Sequence, residues 1–348
     1  MTATAVETAA ARPGRGVRGL ITRVLALVVL TGLGVWLIAN FSSAPAQSSA
    51  ALISGINNGA LYGLVALGYT LVYGIIELIN FAHGDLFMLG TLFSAYMVVY
   101  WLHIDHFGIV AVGALLLTLV LVMAFCALIN IAAERVAYRR LRRAPKLASL
   151  ITAIGLSFIF QWIGLQWNGS GQRQWPTLVN GSFSVASVKV EYTTVLVLAF
   201  TVPLLAGLTF IVQRTRQGKA MRATAQDQDA ARLMGIDVDR TIAFTFALGG
   251  GMAGAAGLLY LESVGTTKYN LGFQLGLIAF TAAVMGGIGN LNGAVLGGLL
   301  IGIIQGLNDG APYGLGQRWS QTVVFTILIL ILVFKPTGLL GKSSTEKV

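Results

Sequence analysis

An all-α, polytopic membrane protein of about ten spanning helices is the fold this sequence predicts, and three observations predict it. The chain is 56% apolar and 10% charged over 348 residues, where a soluble domain carries about 25% charge, and its mean hydropathy is +0.78. The apolar residues come in repeated runs near the roughly 20 residues that a bilayer-crossing helix needs. The basic residues are clustered: 19 of 23 Lys and Arg fall within 12–23, 135–146, 214–240 and 335–347. Cytoplasmic loops carry such an excess, and ten spans with both termini in the cytoplasm put all four clusters on one side. Eight or nine spans result if the segments around Gly84 and Gly289 are broken or re-entrant. The net charge of +10 is thereby assigned to orientation in a lipid bilayer and not to nucleic acid.

The elements follow in order. Residues 1–23 are polar, small and basic, and read as a disordered cytoplasmic N-terminus. Residues 24–41 are apolar and read as an extra N-terminal transmembrane helix or as a signal peptide, because a basic start, an apolar core and an Ala-x-Ala end describe both. The main membrane domain covers 51–336. Its spans are expected at 51–76, 81–102, 107–132, 147–167, 193–212, 241–261, 274–285, 294–307 and 319–334. The polar outer segment 168–192 is rich in Gly, Ser and Thr and is expected to be partly extended. Two inner loops, 135–146 and 214–240, are basic, and 337–348 forms a cytoplasmic tail.

Glycine, at 43 residues, recurs at four-residue steps: Gly55, Gly59 and Gly63; Gly250 and Gly254; Gly289, Gly293 and Gly297; Gly298, Gly302 and Gly306. On a helix this spacing makes one bare face, where a neighbouring backbone can approach closely.

The polar residues within apolar surroundings are the candidates for function, because ionisable groups at membrane depth cost about 2.5–3.5 kcal/mol on insertion scales. The densest group, Glu77 to Asp85, falls where two spans meet. The topology puts it at the cytoplasmic edge, as an inner gate or a helix start. Asn57, Asn58, Tyr62, Tyr69, Tyr73, Asn80, His83 and Asp85 form the candidate solute path: amide, phenol and helix-end groups can match a zwitterion without fixed charge. The bland alternatives are interfacial tyrosines and a capping role for Asn80–Asp85. Catalytic motifs are missing. The Gly341-Lys342-Ser343 triplet has Pro336 where a phosphate-binding loop needs glycine. The histidines His83, His103 and His106 lack metal-binding spacing, and Cys126 is a lone apolar-run thiol. No enzyme activity, no metal and no cofactor are expected.

The loop 214–240 has helical composition from Gly218 to Gly235, with acidic residues early and Arg232 late, as a helix dipole favours. Either a docking helix or a solvated connector fits. Its run Asp229-Ala230-Ala231-Arg232-Leu233-Met234-Gly235 resembles the Glu-Ala-Ala-x-x-x-Gly signature of ABC importer permeases, with Asp in place of Glu. A longer resemblance covers most of the chain, roughly 50–341. Residues 57–92, with Gly68-Tyr69-Thr70-Leu71-Val72-Tyr73-Gly74 and Ile79-Asn80-Phe81-Ala82-His83-Gly84-Asp85, are similar to LivH-type permeases of branched-chain amino acid ABC transporters. Gly286-Gly287-Ile288-Gly289-Asn290 and the Phe334-Lys335-Pro336-Thr337-Gly338-Leu339 ending look like the same family. The resemblance implies an ABC importer permease bundle in the cell (inner or plasma) membrane. It implies a second homologous permease subunit, two ABC ATPase subunits and an external solute-binding protein as partners. It assigns Asp229, Ala230, Ala231, Arg232 and Gly235 to ATPase coupling. Branched-chain amino acids are the implied solute. Urea, short-chain amides or a sugar is the alternative in the same class; an ATP-independent secondary transporter or channel, or a membrane enzyme, is the alternative outside it.

Overall fold

The computed structural model describes residues 31–78, 80–102, 109–142, 144–179, 181–185 and 188–341. The expected disordered start 1–23, the outer turn 103–106 and the last residues of the tail lie outside them. Residues 31–43 are helical (α1). There follow α2 Pro45–Ile76, α3 Ala82–Tyr96, α4 Ile109–Ala133, α5 Lys146–Asn168, α6 Tyr192–Arg214, α7 Arg216–Gln226, α8 Gln228–Leu233, α9 Val238–Val264, α10 Leu271–Gly286, α11 Leu291–Gly310 and α12 Ser320–Phe334. Among the described residues, eight helices are long and apolar enough to cross a membrane, and α10 is a shorter apolar one. The protein is thus an all-α, multi-pass membrane protein. Of the other expected spans, 24–41 is described only in part and 274–285 falls within α10.

Burial sorts the helices. The apolar stretches of α2, α3 and α9 are each 83% buried, whereas those of α4, α5, α6 and α12 lie between 11% and 33%. The first three form the centre, and the others turn apolar side chains such as Leu116, Phe158, Val202 and Ile329 outward. That outward face suits lipid.

The four-residue glycine steps are where helices touch. On α2, Gly55 and Gly59 face Gly302 and Gly298 of α11; a Cβ built on Gly59 would lie 2.8 Å from the Leu299 Cα, and one on Gly55 2.8 Å from the Ile303 Cα. On α9, Gly250 and Gly254 press on the backbone of α4 at Cys126 and Val122, and Gly257 presses on α3 at Gly90 and Thr91. Cys126 is buried packing.

At the end of α6 opposite α7, β1 Arg173–Gln174 pairs with β4 Thr266–Thr267, and β2 Ser182–Val185 pairs antiparallel with β3 Val188–Glu191. The segment 168–192 is therefore partly extended, as its composition suggested. The α1 helix docks on the outer turn after α11. Trp36 Nε1 donates to the Tyr313 carbonyl at 2.8 Å, and Asn40 Oδ1 accepts the Tyr313 N–H at 2.8 Å. Asn40, fully buried, also accepts the Ser48 hydroxyl on its carbonyl at 2.9 Å. Asn40→Ala leaves the Tyr313 N–H without its acceptor, while Ser48 keeps the backbone carbonyl at position 40, a loss of about 1 kcal/mol. It is expected to lower the thermal unfolding midpoint of the detergent-purified protein. An unchanged midpoint would show that α1 adds nothing to the bundle.

Three inner-side expectations need correction. The basic loop 135–146 is mostly helix. After Ala133 the chain makes a wide π turn, Glu134–Tyr138, and a last turn, Arg139–Leu141. Glu134, fully buried, pairs there with Arg139 at 3.0 Å and with Arg142, which holds two of the basic side chains against the end of the helix. The single helix expected over 218–235 is two, because Asp227 interrupts it and caps the second: its carboxylate accepts the N–H groups of Asp229 and Ala230, each at 2.9 Å. The tail does not leave the bundle at once. Leu339 N–H reaches the Met285 carbonyl at 2.8 Å, Leu340 N–H the Gly286 carbonyl at 3.0 Å, and Asn290 Nδ2 donates to the Leu340 carbonyl at 2.8 Å.

Candidate solute path and coupling surface

The α2 helix ends at Ile76, and Glu77 takes a left-handed backbone with φ 53°. Glu77, Leu78 and Asn80 lie outside any helix, and the His83 N–H donates to the Asn80 carbonyl at 3.1 Å as α3 starts. Asn80 is buried and its Oδ1 accepts the Tyr138 hydroxyl at 2.7 Å. His83 lies against Gly68, about two turns above the inner end of α2. Its ring is 4.8 Å from that of Tyr69 in an edge contact. The Val65 backbone lies beside the imidazole, but neither nitrogen reaches a partner in hydrogen-bonding geometry.

Asp85 is farther in. It has no exposed area. Its Oδ2 accepts the Ser157 hydroxyl and, at 3.4 Å, the Gln161 amide. Both residues stand near the middle of α5. The expectation that Glu77 to Asp85 all lie at the cytoplasmic edge is therefore wrong for its last members. The physical reason is Gly84: its bare Cα seats α3 against the backbone of Gly272 and Gly276 on α10, which a side chain at any of the three would prevent.

The remaining path candidates divide by depth. Toward the outer end, Asn57 Nδ2 donates to Ser263 Oγ at 2.8 Å and Tyr62 donates to Gln305 Oε1 at 2.8 Å. Toward the inner end, Tyr69, Tyr73 and Asn80 come together with Phe280, Ala283 and Ile288 around one narrow void. Asn58 is half-buried and joins neither group. Beyond Ile288 the void gives way to an open recess of about 500 Å³, walled by Thr70 and Gly74 of α2, Met221 and Arg222 of α7, and Asn290 and Asn292 after α10. The candidates thus line a broken track along α2, closed in the middle and open at the end where α7 sits. Ser157, Gln161, Ser263 and Gln305 escaped the sequence reading. The signal for the first two was present, a polar pair four residues apart inside an apolar run.

The loop between α6 and α9 is well ordered by its own caps. Thr215 Oγ1 accepts the Gly218 N–H at 3.1 Å, starting α7. Gly218 lies directly on the Ile211 and Val212 carbonyls, which turns α7 sharply away from α6. In α8, Asp229 and Arg232 form an exposed pair at 3.0 Å. Ala231 points inward, 3% exposed, and Ala230 outward. Gly235, at φ +80°, ends the helix in the left-handed region that favours glycine. Just before it stand Leu233 and Met234, 89% and 82% exposed. Two exposed apolar side chains thus stand beside an exposed ion pair.

The chain was compared with known proteins. Residues 51–332 match the family model described as branched-chain amino acid transport system, permease component. The chain is 38% identical over 304 residues to the high-affinity branched-chain amino acid transport system permease protein BraD of Pseudomonas aeruginosa, covering 85% of this chain and 97% of that one. It is 38% identical over 305 residues to LivH of Escherichia coli, with 85% and 96% covered. A weaker likeness, 28% over 204 residues, covering 52% of this chain and 50% of the other, links it to the xylose permease protein XylH of Escherichia coli. No solved structure matches. A family match across the whole buried bundle and the loop of α7 and α8 leaves one conclusion: the chain belongs to the permease family of branched-chain amino acid transport systems.

Proposed function

We propose that the chain is the permease subunit of an ATP-driven importer that moves branched-chain amino acids, delivered by an external solute-binding protein, across the cell membrane. The observation that carries this reading is the loop holding α7 and α8. It ends in a bare Leu233–Met234 pair and, through Met221 and Arg222, also walls the inner recess of the candidate path. A partner that pushes on α8 would move a wall of the path. An ATPase subunit on each of two permeases, this one and a homologous second, is the partner set that fits. A secondary transporter has no use for such a surface. The solute class is supported by the names of the BraD and LivH relatives, which match over most of the chain; the sugar permeases match over about half. The reading places both termini in the cytoplasm and keeps 24–41 as a retained helix, supported by the seating of Asn40 against Tyr313.

The test is uptake of labelled leucine and urea by proteoliposomes holding the chain with the products of its neighbouring genes. Leucine uptake that requires ATP and the ATPase supports the reading; uptake without any ATPase sinks it. A sharper prediction concerns α8. Burying two large apolar side chains at an interface is worth about 2–4 kcal/mol in total, or roughly 30- to 1000-fold in affinity. Leu233→Ser with Met234→Ser is expected to weaken ATPase co-purification by at least about 30-fold and to leave the unfolding midpoint unchanged, since neither residue packs on the fold. Full ATPase recovery with the double variant would make the loop a mere connector.

A further inference from the structure

Two helices start inside this bundle, and they start at the same place. The α3 helix begins at Ala82 and α10 at Leu271. Their first turns meet: the Gly84 backbone packs directly on Gly272, and a Cβ on Gly272 would lie 2.6 Å from the Asp85 Cα. Neither N-terminus is capped by a side chain; Phe81 and Asn270 occupy the capping positions without a capping bond. A helix start carries about half a positive charge and unpaired N–H groups. The His83 and Leu271 N–H groups are taken by the Asn80 and Lys268 carbonyls, each at 3.1 Å, and the remaining first-turn N–H groups of the two starts make a positive, donor-rich spot. It is the geometry that receives carboxylates at interrupted membrane helices.

At that spot stands a fully buried carboxylate. Oδ2 of Asp85 is held by Ser157 and Gln161, and Oδ1 has no partner. Among the described residues no Lys or Arg pairs with it. Two neutral donors on one oxygen leave the charge without a cation and Oδ1 without a donor, which is costly for a buried carboxylate. Helix starts for a carboxylate and an acidic oxygen for an ammonium are complementary to the two ends of an amino acid backbone.

We propose that Asp85, together with the N-termini of α3 and α10, forms the subsite that grips the backbone of a passing amino acid. Asp85 accepts the ammonium group, and the helix starts donate to the carboxylate. Ser157 and Gln161 are positioning residues that aim the Asp85 carboxyl. The subsite is closed in this structure, sealed by Gly84 against Gly272 and Gly276. These contacts are bare backbone, so the two helices can part without repacking side chains. The proposal rests on the amino acid import reading above and adds to it that the permease reads the zwitterion itself, with the side chain left to the binding protein.

The experiment uses the complete reconstituted complex with saturating binding protein, and reads leucine uptake and ATP hydrolysis together. Asp85→Asn is expected to cut leucine uptake at least tenfold while binding-protein-stimulated ATP hydrolysis stays within twofold, so that cycles run empty. Asp85→Glu is expected to recover a substantial part of uptake. Ser157→Ala with Gln161→Ala keeps the carboxylate but not its aim, and is expected to raise the half-saturating leucine concentration severalfold. Asp85→Asn with uptake within twofold of wild type overturns the proposal. If Asp85→Asn fails to assemble, the Ser157→Ala, Gln161→Ala variant decides, and wild-type uptake kinetics there overturn it equally. A wild-type complex that takes up urea or xylose but no leucine fails the import reading itself, and the subsite falls with it.

Discussion

Gly302→Leu is expected to abolish the folded protein. A Cβ at this position has nowhere to go: it lands on the Gly59 backbone N and Cα and on the Gly55 carbonyl. The obstruction is main chain on both sides, so no rotamer change relieves it. Overpacking a core usually costs about 1–3 kcal/mol when side chains can shift. Here the α2–α11 axes must separate, which also strips the contacts at Gly298 and Gly306, and the loss should reach about 4 kcal/mol or more. The measurement is the monodisperse fraction recovered after detergent extraction, with its unfolding midpoint. The control is Gly207→Leu, where nothing stands within 4 Å of a built Cβ. Near-normal recovery of Gly302→Leu would mean that the glycine face is not a tight contact.

Glu134→Ala should be the next most damaging change. Glu134 is completely buried and serves two arginines, and Arg142 passes the link on to Asp239 at 2.5 Å in the first turn of α9. Removing one member of a buried ion pair typically costs about 3–5 kcal/mol, because its partner is left uncompensated. Arg139 is partly exposed and Arg142 keeps Asp239, so solvent and the remaining pair absorb part of that; about 2 kcal/mol is expected. Glu134→Gln should fall between, since it keeps a hydrogen-bond acceptor without the charge. Because Asp239 immediately follows the α7–α8 loop, the alanine variant should also lower ATPase coupling per mole of folded complex. An unfolding midpoint equal to wild type would show the cluster to be solvated.

Much of this architecture could be read from the chain because its rules are local. Apolar run length marks a span, and a glycine every fourth residue marks a face. Gly235 marks a helix end wherever it occurs. What escaped was set by distant partners. Asp85 carries the same charge as Glu77, and sequence alone put both at the inner edge; only contact of Gly84 with α10 sets their different depths. Glu134 and its arginines looked like a loop because a π turn, which widens one helical turn, has no reliable sequence signature. The break between α7 and α8 was nearer to legible. Asp227 ahead of Asp229 and Ala230 is a capping pattern, but favourable helix composition on both sides concealed it. Among the candidate path residues, Asn57, Tyr62, Tyr69 and Asn80 are buried, and Asn58 and Tyr73 half-buried. Their division into an outer pair and an inner cluster needed α10 and α11 to be placed against α2.

The length of α2 has a mechanical consequence. Its 32 residues run from Pro45, at the very start, to Ile76 without an internal proline or a break. Such a rod is roughly 48 Å long, well beyond the ~30 Å hydrocarbon layer. One end meets the outer turn at Gly310, and the other meets the recess beside α7. A beam pivoting at its middle moves both ends in opposite senses: a tilt of about 5° displaces each by ~2 Å. A push at the α7 end would therefore arrive at the Gly310 end with reversed sign.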